Sequence, residues 1–129
     1  MAQVLAIACG GAVGALLRFF LAGAVNNWAG PSFPFGTLSV NIMGSMLMGF
    51  VFVVFGERVQ VSPEVRLGIT VGVLGAFTTF STFSIETLGL LQTGAVLKGL
   101  INAGASVVLC VAACWGGVAL AHLLVSSRP

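Results

Sequence analysis

Charge is scarce in this chain. Of its 129 residues, 6% are Asp, Glu, Lys or Arg, against roughly 25% in soluble domains. The net charge of +2 carries no basic cluster, which argues against a nucleic-acid surface. Tyrosine is absent, so no phenol contributes an acid, a base or a hydrogen bond. His122 is the sole histidine, and no third partner accompanies it and Ser106, which argues against a hydrolytic triad. The three cysteines, Cys9, Cys110 and Cys114, lie in apolar stretches, and their odd number argues against a disulfide framework. Cys110 and Cys114 are one helical turn apart, a spacing at which two thiols can share a soft metal. No further soft ligand lies near them in sequence. The expectation is therefore small, buried, unpaired thiols.

Apolar sequence is abundant. The chain is 58% hydrophobic with a mean hydropathy of +1.14. About 20 apolar residues in helical conformation cross the hydrocarbon core, so the length holds about four spans and little else. The expected fold is an all-α integral membrane protein of four transmembrane helices in a single transmembrane domain. The spans fall at about residues 4–25, 35–55, 64–91 and 95–125. Asn26 to Pro34 is turn-rich, with Asn-Asn, Gly-Pro and Phe-Pro. Gly56 to Glu64 holds the densest charge, and Ser62-Pro63-Glu64 has the form of a helix start. Met-Ala-Gln lacks a basic region before the first apolar run, which reads as a span and not a cleaved signal. Four short helices make a poor pore wall alone, so an oligomer is expected.

Eighteen glycines are many for a helical chain. Gly10 and Gly14, and Gly68 and Gly72, form small-residue stripes that let membrane helices approach closely, and Gly44 and Gly49 line the second span. Arg18 continues the first stripe. Lys and Arg are almost evenly split between the two sides: Arg58, Arg66 and Arg128 against Lys98 and Arg18. Orientation follows such bias, so it is weakly determined here. A chain inserting both ways can form an antiparallel homodimer.

Polar groups inside the spans mark where chemistry is possible. Asn41 either bonds neighbouring backbone or donates its amide to an anion or water in a pathway. Arg18 either snorkels or sets positive potential at a pore mouth. Glu86 is expected to pair with Arg18 or Lys98, or to face water. Asn102 and Ser106 lie one turn apart and could continue a polar stripe. Trp28 suits an interfacial belt. Trp115 is deeper.

The densest such segment is Gly75-Ala-Phe-Thr-Thr-Phe-Ser-Thr-Phe-Ser84. Thr78, Thr79, Ser81, Thr82 and Ser84 bring five hydroxyls within seven positions, interleaved with Phe80 and Phe83. Hydrocarbon cannot solvate them, so they face protein or a polar path. Two backbone readings are open. Either the helix breaks near residues 75 to 79 and exposes backbone groups to an ion, or it continues and the hydroxyls bond their own carbonyls. Phe80 and Phe83 share a helix face. Ring edges suit an anion and faces a cation.

At these residues the chain resembles the Fluc (CrcB) family of fluoride channels. Three motifs carry the likeness: Gly10-x3-Gly14-x3-Arg18, Gly36-Thr-Leu-Ser-Val-Asn41-Ile-Met-Gly44-Ser45, and Gly72-x2-Gly75-Ala-Phe-Thr-Thr-Phe-Ser-Thr-Phe-Ser84-x-Glu86. The third is the most specific. The resemblance covers the whole chain. It implies an antiparallel, dual-topology homodimer in a bacterial inner membrane, carrying fluoride passively outward and so conferring fluoride resistance. It implies that the third helix is broken mid-membrane and holds a structural Na⁺ at the dimer interface through the carbonyls of Gly75 and Thr78. It assigns the fluoride pathway to Asn41, Phe80, Phe83, Ser81, Thr82 and, more weakly, Ser106, and the vestibules to Arg18 and Glu86. Cys110 and Cys114 stand where a hydroxyl would be expected to line the path. No nucleic acid or soluble protein partner is implied. Two rival readings are a proton-coupled exporter of small cations, which needs a membrane acid that only Glu86 could supply, and a non-transporting assembly subunit.

Overall fold

The computed structural model describes residues 1–126. Arg128, counted above in the charge balance, lies outside the described residues. All regular structure among the described residues is helical, and four helical units are long and apolar enough to cross a membrane. Helix α1 is Ala2–Ala29 and α2 is Phe35–Val53, which continues as a π-helical turn over Val54–Arg58. The third unit has two halves. Helix α3, residues 63–77, is α-helical at Pro63–Leu67, widens to π-helical geometry at Gly68–Leu74 and tightens again at Gly75–Phe77. Helix α4 is Phe80–Gln92, and α5 is Val96–Ser126.

Local chemistry explains the joints. The Ser62 hydroxyl accepts the Val65 N–H at the start of α3, with Pro63 at a position whose missing N–H would have no helical partner. The Asn26 side chain, in the last turn of α1, accepts the Gly36 N–H at 2.8 Å and so caps α2 from outside it. The turns after α1 and α4 each use a glycine at positive φ, Gly30 at 83° and Gly94 at 79°.

Small residues set the packing. A Cβ on Gly10 would fall on the Gly68 carbonyl oxygen, and one on Gly14 on the Val73 carbonyl oxygen. The π-helical stretch of α3 is thus the surface on which α1 lies at backbone contact distance. Helix α2 packs along α5 in the same way, Gly49 against the Cys114 carbonyl and Gly117 against the Met46 carbonyl. With no hydrophobic drive between helices in lipid, this proximity supplies the dispersion contacts that hold them.

Among the described residues buried apolar side chains are few: Val40, Val53, Leu74, Phe77 and Ala121. Large apolar residues such as Phe19, Phe20, Phe52, Phe80 and Trp115 are exposed over most of their surface. Such a surface suits lipid or another apolar partner, not water.

Candidate functional site

The backbone leaves helical geometry in the middle of the third unit. Thr78 lies at φ −86°, ψ 156° and Thr79 at φ −150°, ψ 116°, both extended. Gly75 is helical, at φ −65°, ψ −37°. Extended backbone inside an apolar unit must find other partners for its N–H and C=O. Asn41 supplies them to Thr79. Its Nδ2 donates to the Thr79 carbonyl at 3.0 Å, and its Oδ1 accepts the Thr79 N–H at 2.8 Å. One side-chain amide imitates a paired peptide group. Of the two roles open to Asn41 in the sequence, the backbone-bonding one is thus present. An amide nitrogen carries two hydrogens, so one N–H is left over from this pair.

Thr79 also caps α4. Its Oγ1 accepts the Thr82 N–H at 3.2 Å and donates to Thr82 Oγ1 at 3.0 Å, while Ser81 Oγ lies 3.2 Å away. With the Thr79 proton committed to Thr82, Ser81 is the donor in its pair. The three hydroxyls form a directed chain ending on Thr82, whose own proton is free for an outside acceptor. The remaining hydroxyls of the segment bond back one turn: Thr78 to the Leu74 carbonyl and Ser84 to the Phe80 carbonyl.

These bonds divert donors from the helical ladder. The Thr79 N–H would ordinarily serve the Gly75 carbonyl, and the Thr82 N–H the Thr78 carbonyl. Asn41 takes the first and Thr79 Oγ1 the second. The Gly75 and Thr78 carbonyls are thereby released from their usual donors. Gly75 is also exposed, with only the Thr70 carbonyl within 4 Å of where its Cβ would be.

A groove of about 430 Å³ runs beside the break. Asn41, Thr78, Thr79, Phe80, Phe83 and Ser106 line it, with Ser45, Met48, Cys110 and Cys114 further along. The Phe80 and Phe83 ring centroids are 5.2 Å apart at an interplanar angle of 43°. Phe83 is half-buried and Phe80 is 78% exposed, so one ring belongs to the groove wall and the other stands at its open side. Ser106 is buried and makes no hydrogen bond among the described residues.

Other anticipated site residues lie elsewhere. Ser81 and Thr82 are bonded to Thr79 but do not line this groove. Glu86 faces a separate, larger basin of about 770 Å³ with Asn26, Asn27, Phe33 and Thr93. Of the two settings expected for it, paired or facing water, the ion pair with Arg18 or Lys98 is not formed. Glu86 Oε1 accepts the Thr37 hydroxyl at 2.9 Å, Glu86 Oε2 is buried without a partner among the described residues, and Lys98 donates to the Ser32 carbonyl. Arg18 is half-buried on α1 and has no hydrogen-bond or ion-pair partner among the described residues. Asn102, 2% exposed, donates to Thr87 Oγ1 at 2.8 Å and joins α5 to α4 instead of extending a polar stripe. His122 lies 3.8 Å from Glu57 at the exposed end of α5. The thiols are free but not buried as expected: Cys9 is exposed, Cys110 and Cys114 half-buried.

Thr37 and Ser45, which stand in the second motif without an assigned role, and Met48, which stands in none, are further contributors. The signal was available: Thr37, Asn41, Ser45 and Met48 recur at spacings of four, four and three on one face of α2.

Comparison with known proteins follows the same residues. Residues 5–118 match the family model described as CrcB-like protein, Camphor Resistance (CrcB). A relative from Methylococcus capsulatus, named fluoride-specific ion channel FluC, is 50% identical over 122 residues, 95% of this chain and 54% of that protein. The chain thus spans about half the length of that relative. Proteins of the same name from Magnetococcus marinus and Geobacter sulfurreducens are 48% and 47% identical, over 95% and 96% of this chain and 99% and 100% of their own lengths. With the family model matching nearly its whole length and relatives of equal length sharing almost half its residues, this chain belongs to the CrcB-like family.

Proposed function

We propose that the protein is a fluoride channel that lets the anion leave a bacterial cell passively through the inner membrane, giving fluoride resistance. The observation that carries the reading is the groove in which the Asn41 amide, the Phe80–Phe83 pair and the Ser106 hydroxyl converge beside the non-helical backbone at Thr78 and Thr79. The names borne by the relatives support it.

The physics concerns hydration. Moving a small bare ion into low dielectric costs on the order of tens of kcal/mol. A single cationic ligand would repay that cost and then hold the ion, whereas conduction needs entry and exit both to be favourable. This groove offers several weak donors instead. They are the second Asn41 N–H, the Ser106 hydroxyl and the positive edges of two rings. The Thr82 proton, at the end of the hydroxyl chain, is a further donor close to the break. Among the described residues no Lys or Arg lines the groove.

The working unit in this reading is an antiparallel homodimer with dual topology. The exposure of Phe80 and of the apolar faces supports a second chain that completes the groove. The interruption at Thr78 and Thr79 then lies at mid-membrane. The Gly75 and Thr78 carbonyls, released from their usual donors, are hard oxygen ligands that fit a hard cation. A Na⁺ held by these oxygens from both chains would supply positive charge on the dimer axis without entering either groove. Arg18 and Glu86 belong to the vestibules in this reading, Glu86 in its open basin.

Reconstituted liposomes test it. Fluoride efflux should far exceed chloride efflux, and F80I and F83I should each abolish it while the assembled protein survives. Equal fluoride and chloride rates, or unchanged fluoride flux in both variants, would refute the groove as the path. Protein purified and reconstituted with a bulky organic cation replacing Na⁺ should lose flux; full activity would remove the Na⁺.

A further inference from the structure

Three sulfur-bearing residues line the groove without having been given a role. Cys110 and Cys114 occupy adjacent turns of one face of α5, and Met48 of α2 lines the same cavity. No further soft ligand lies near them in sequence; the tertiary fold brings Met48 from another helix. The two thiols are free and half-buried, so reagents in the groove can reach them. Ser45 of α2 lines the same cavity as Cys110. The Cys114 sulfur lies 3.2 Å from where a Cβ on Gly49 would stand, which places it against the close contact of α2 with α5.

Geometry then favours a metal over a disulfide. Residues four apart on a helix hold their Cβ atoms roughly 5–6 Å apart, whereas a disulfide needs about 3.5–4.5 Å. A metal between the sulfurs relaxes that demand. Two metal–sulfur bonds of roughly 2.3 Å each place the sulfurs about 4–5 Å apart when the bonds are close to collinear. The adjacent turns suit that span. Thiolate and thioether donors select soft ions, and hard cations prefer oxygen.

We propose that Cys110 and Cys114, with Met48 as a neutral third donor, form a chelating site for a soft thiophilic metal ion such as Hg²⁺ or Ag⁺ in the wall of this groove. With Hg²⁺ the step is a ligand exchange. Two S–H bonds break, two S–Hg bonds form, and two protons leave to water, with no change of oxidation state. Because the site shares its cavity with Phe80 and Phe83, occupancy narrows the groove and blocks it. Only this blocking consequence rests on the fluoride-channel reading.

The experiment uses full-length protein with C9S, which removes the exposed thiol outside the groove. The protein is treated with HgCl₂, washed with glutathione and weighed by intact mass spectrometry. A single Hg²⁺ per chain should survive the wash with loss of two protons, and M48L should retain it less well. C110S and C114S, each leaving one thiol, should retain none, as should C110A and C114A, which guard against misfolding of the serine variants. Retention in the single-thiol variants, or none in C9S, would overturn the site. In liposomes, Hg²⁺ should reduce fluoride efflux of C9S at least tenfold relative to its own metal-free rate. Bound Hg²⁺ with undiminished flux would leave the chelate standing and overturn the assignment of this groove to the ion path.

Discussion

Replacing Asn41 by alanine is the sharpest test of how the non-helical segment is held. Asn41 closes two hydrogen bonds on one residue, at 3.0 Å to the Thr79 carbonyl and 2.8 Å from the Thr79 N–H. N41A removes both partners at once. In a water-soluble core each stranded group would cost about 1–3 kcal/mol. In lipid, interhelical side-chain bonds average about 0.6 kcal/mol and reach about 1.7, because the separated helices find substitutes. Thr79 is itself buried, 7% exposed, so its peptide groups have little access to water. The two losses together should therefore come to about 1–3 kcal/mol. Hydrogen exchange of the Thr79 amide in detergent or nanodiscs reads this directly. At about 1.4 kcal/mol per decade, exchange should quicken by roughly 5- to 150-fold. N41D keeps an acceptor for the N–H but sets a second acceptor against the Thr79 carbonyl, so it should not restore protection. Unchanged exchange at Thr79 in N41A would refute the idea that this amide satisfies the break.

Adjacent glycines provide an internal control for helix proximity: G117A drives a methyl onto the Met46 carbonyl and should cost about 1–3 kcal/mol, while G116A meets nothing within 4 Å and should be neutral or slightly stabilising. Equal melting shifts in the two would contradict backbone contact between α2 and α5. Orientation is checked by labelling a cysteine placed at the N-terminus of a C9S C110A C114A protein in intact cells. About half of the chains should react from each side if topology is dual, and labelling from one side alone would exclude an antiparallel pair.

Much of the architecture was legible from composition. Low charge and high hydropathy confine the chain to membrane helices, because each unpaired charge or backbone group in hydrocarbon is too costly. Glycine spacing marked the close helix contacts at Gly10, Gly14, Gly49 and Gly72, since only a missing Cβ permits them. Gly117, four residues from Ala113 and from Ala121, lies in a similar small-residue stripe. The hydroxyl-rich segment was legible as unusual, yet its backbone was not. Thr and Ser can close a helical turn onto their own carbonyls, as Thr78 and Ser84 do, or cap a new helix, as Thr79 does. Local sequence allows both.

Tertiary structure decided between them. Thr79 remains extended because an amide 38 residues earlier answers both of its peptide groups. Glu86 takes its hydrogen bond from Thr37, on α2, and not from Arg18 or Lys98. Cys110 and Cys114 become part of a lined cavity only because α2 brings Ser45 and Met48 opposite them. What the amino-acid order determines by itself is where polar groups must be hidden from lipid. Which partner hides each one depends on helices distant in sequence meeting at that depth, and periodicity within a single helix carries no record of its neighbour.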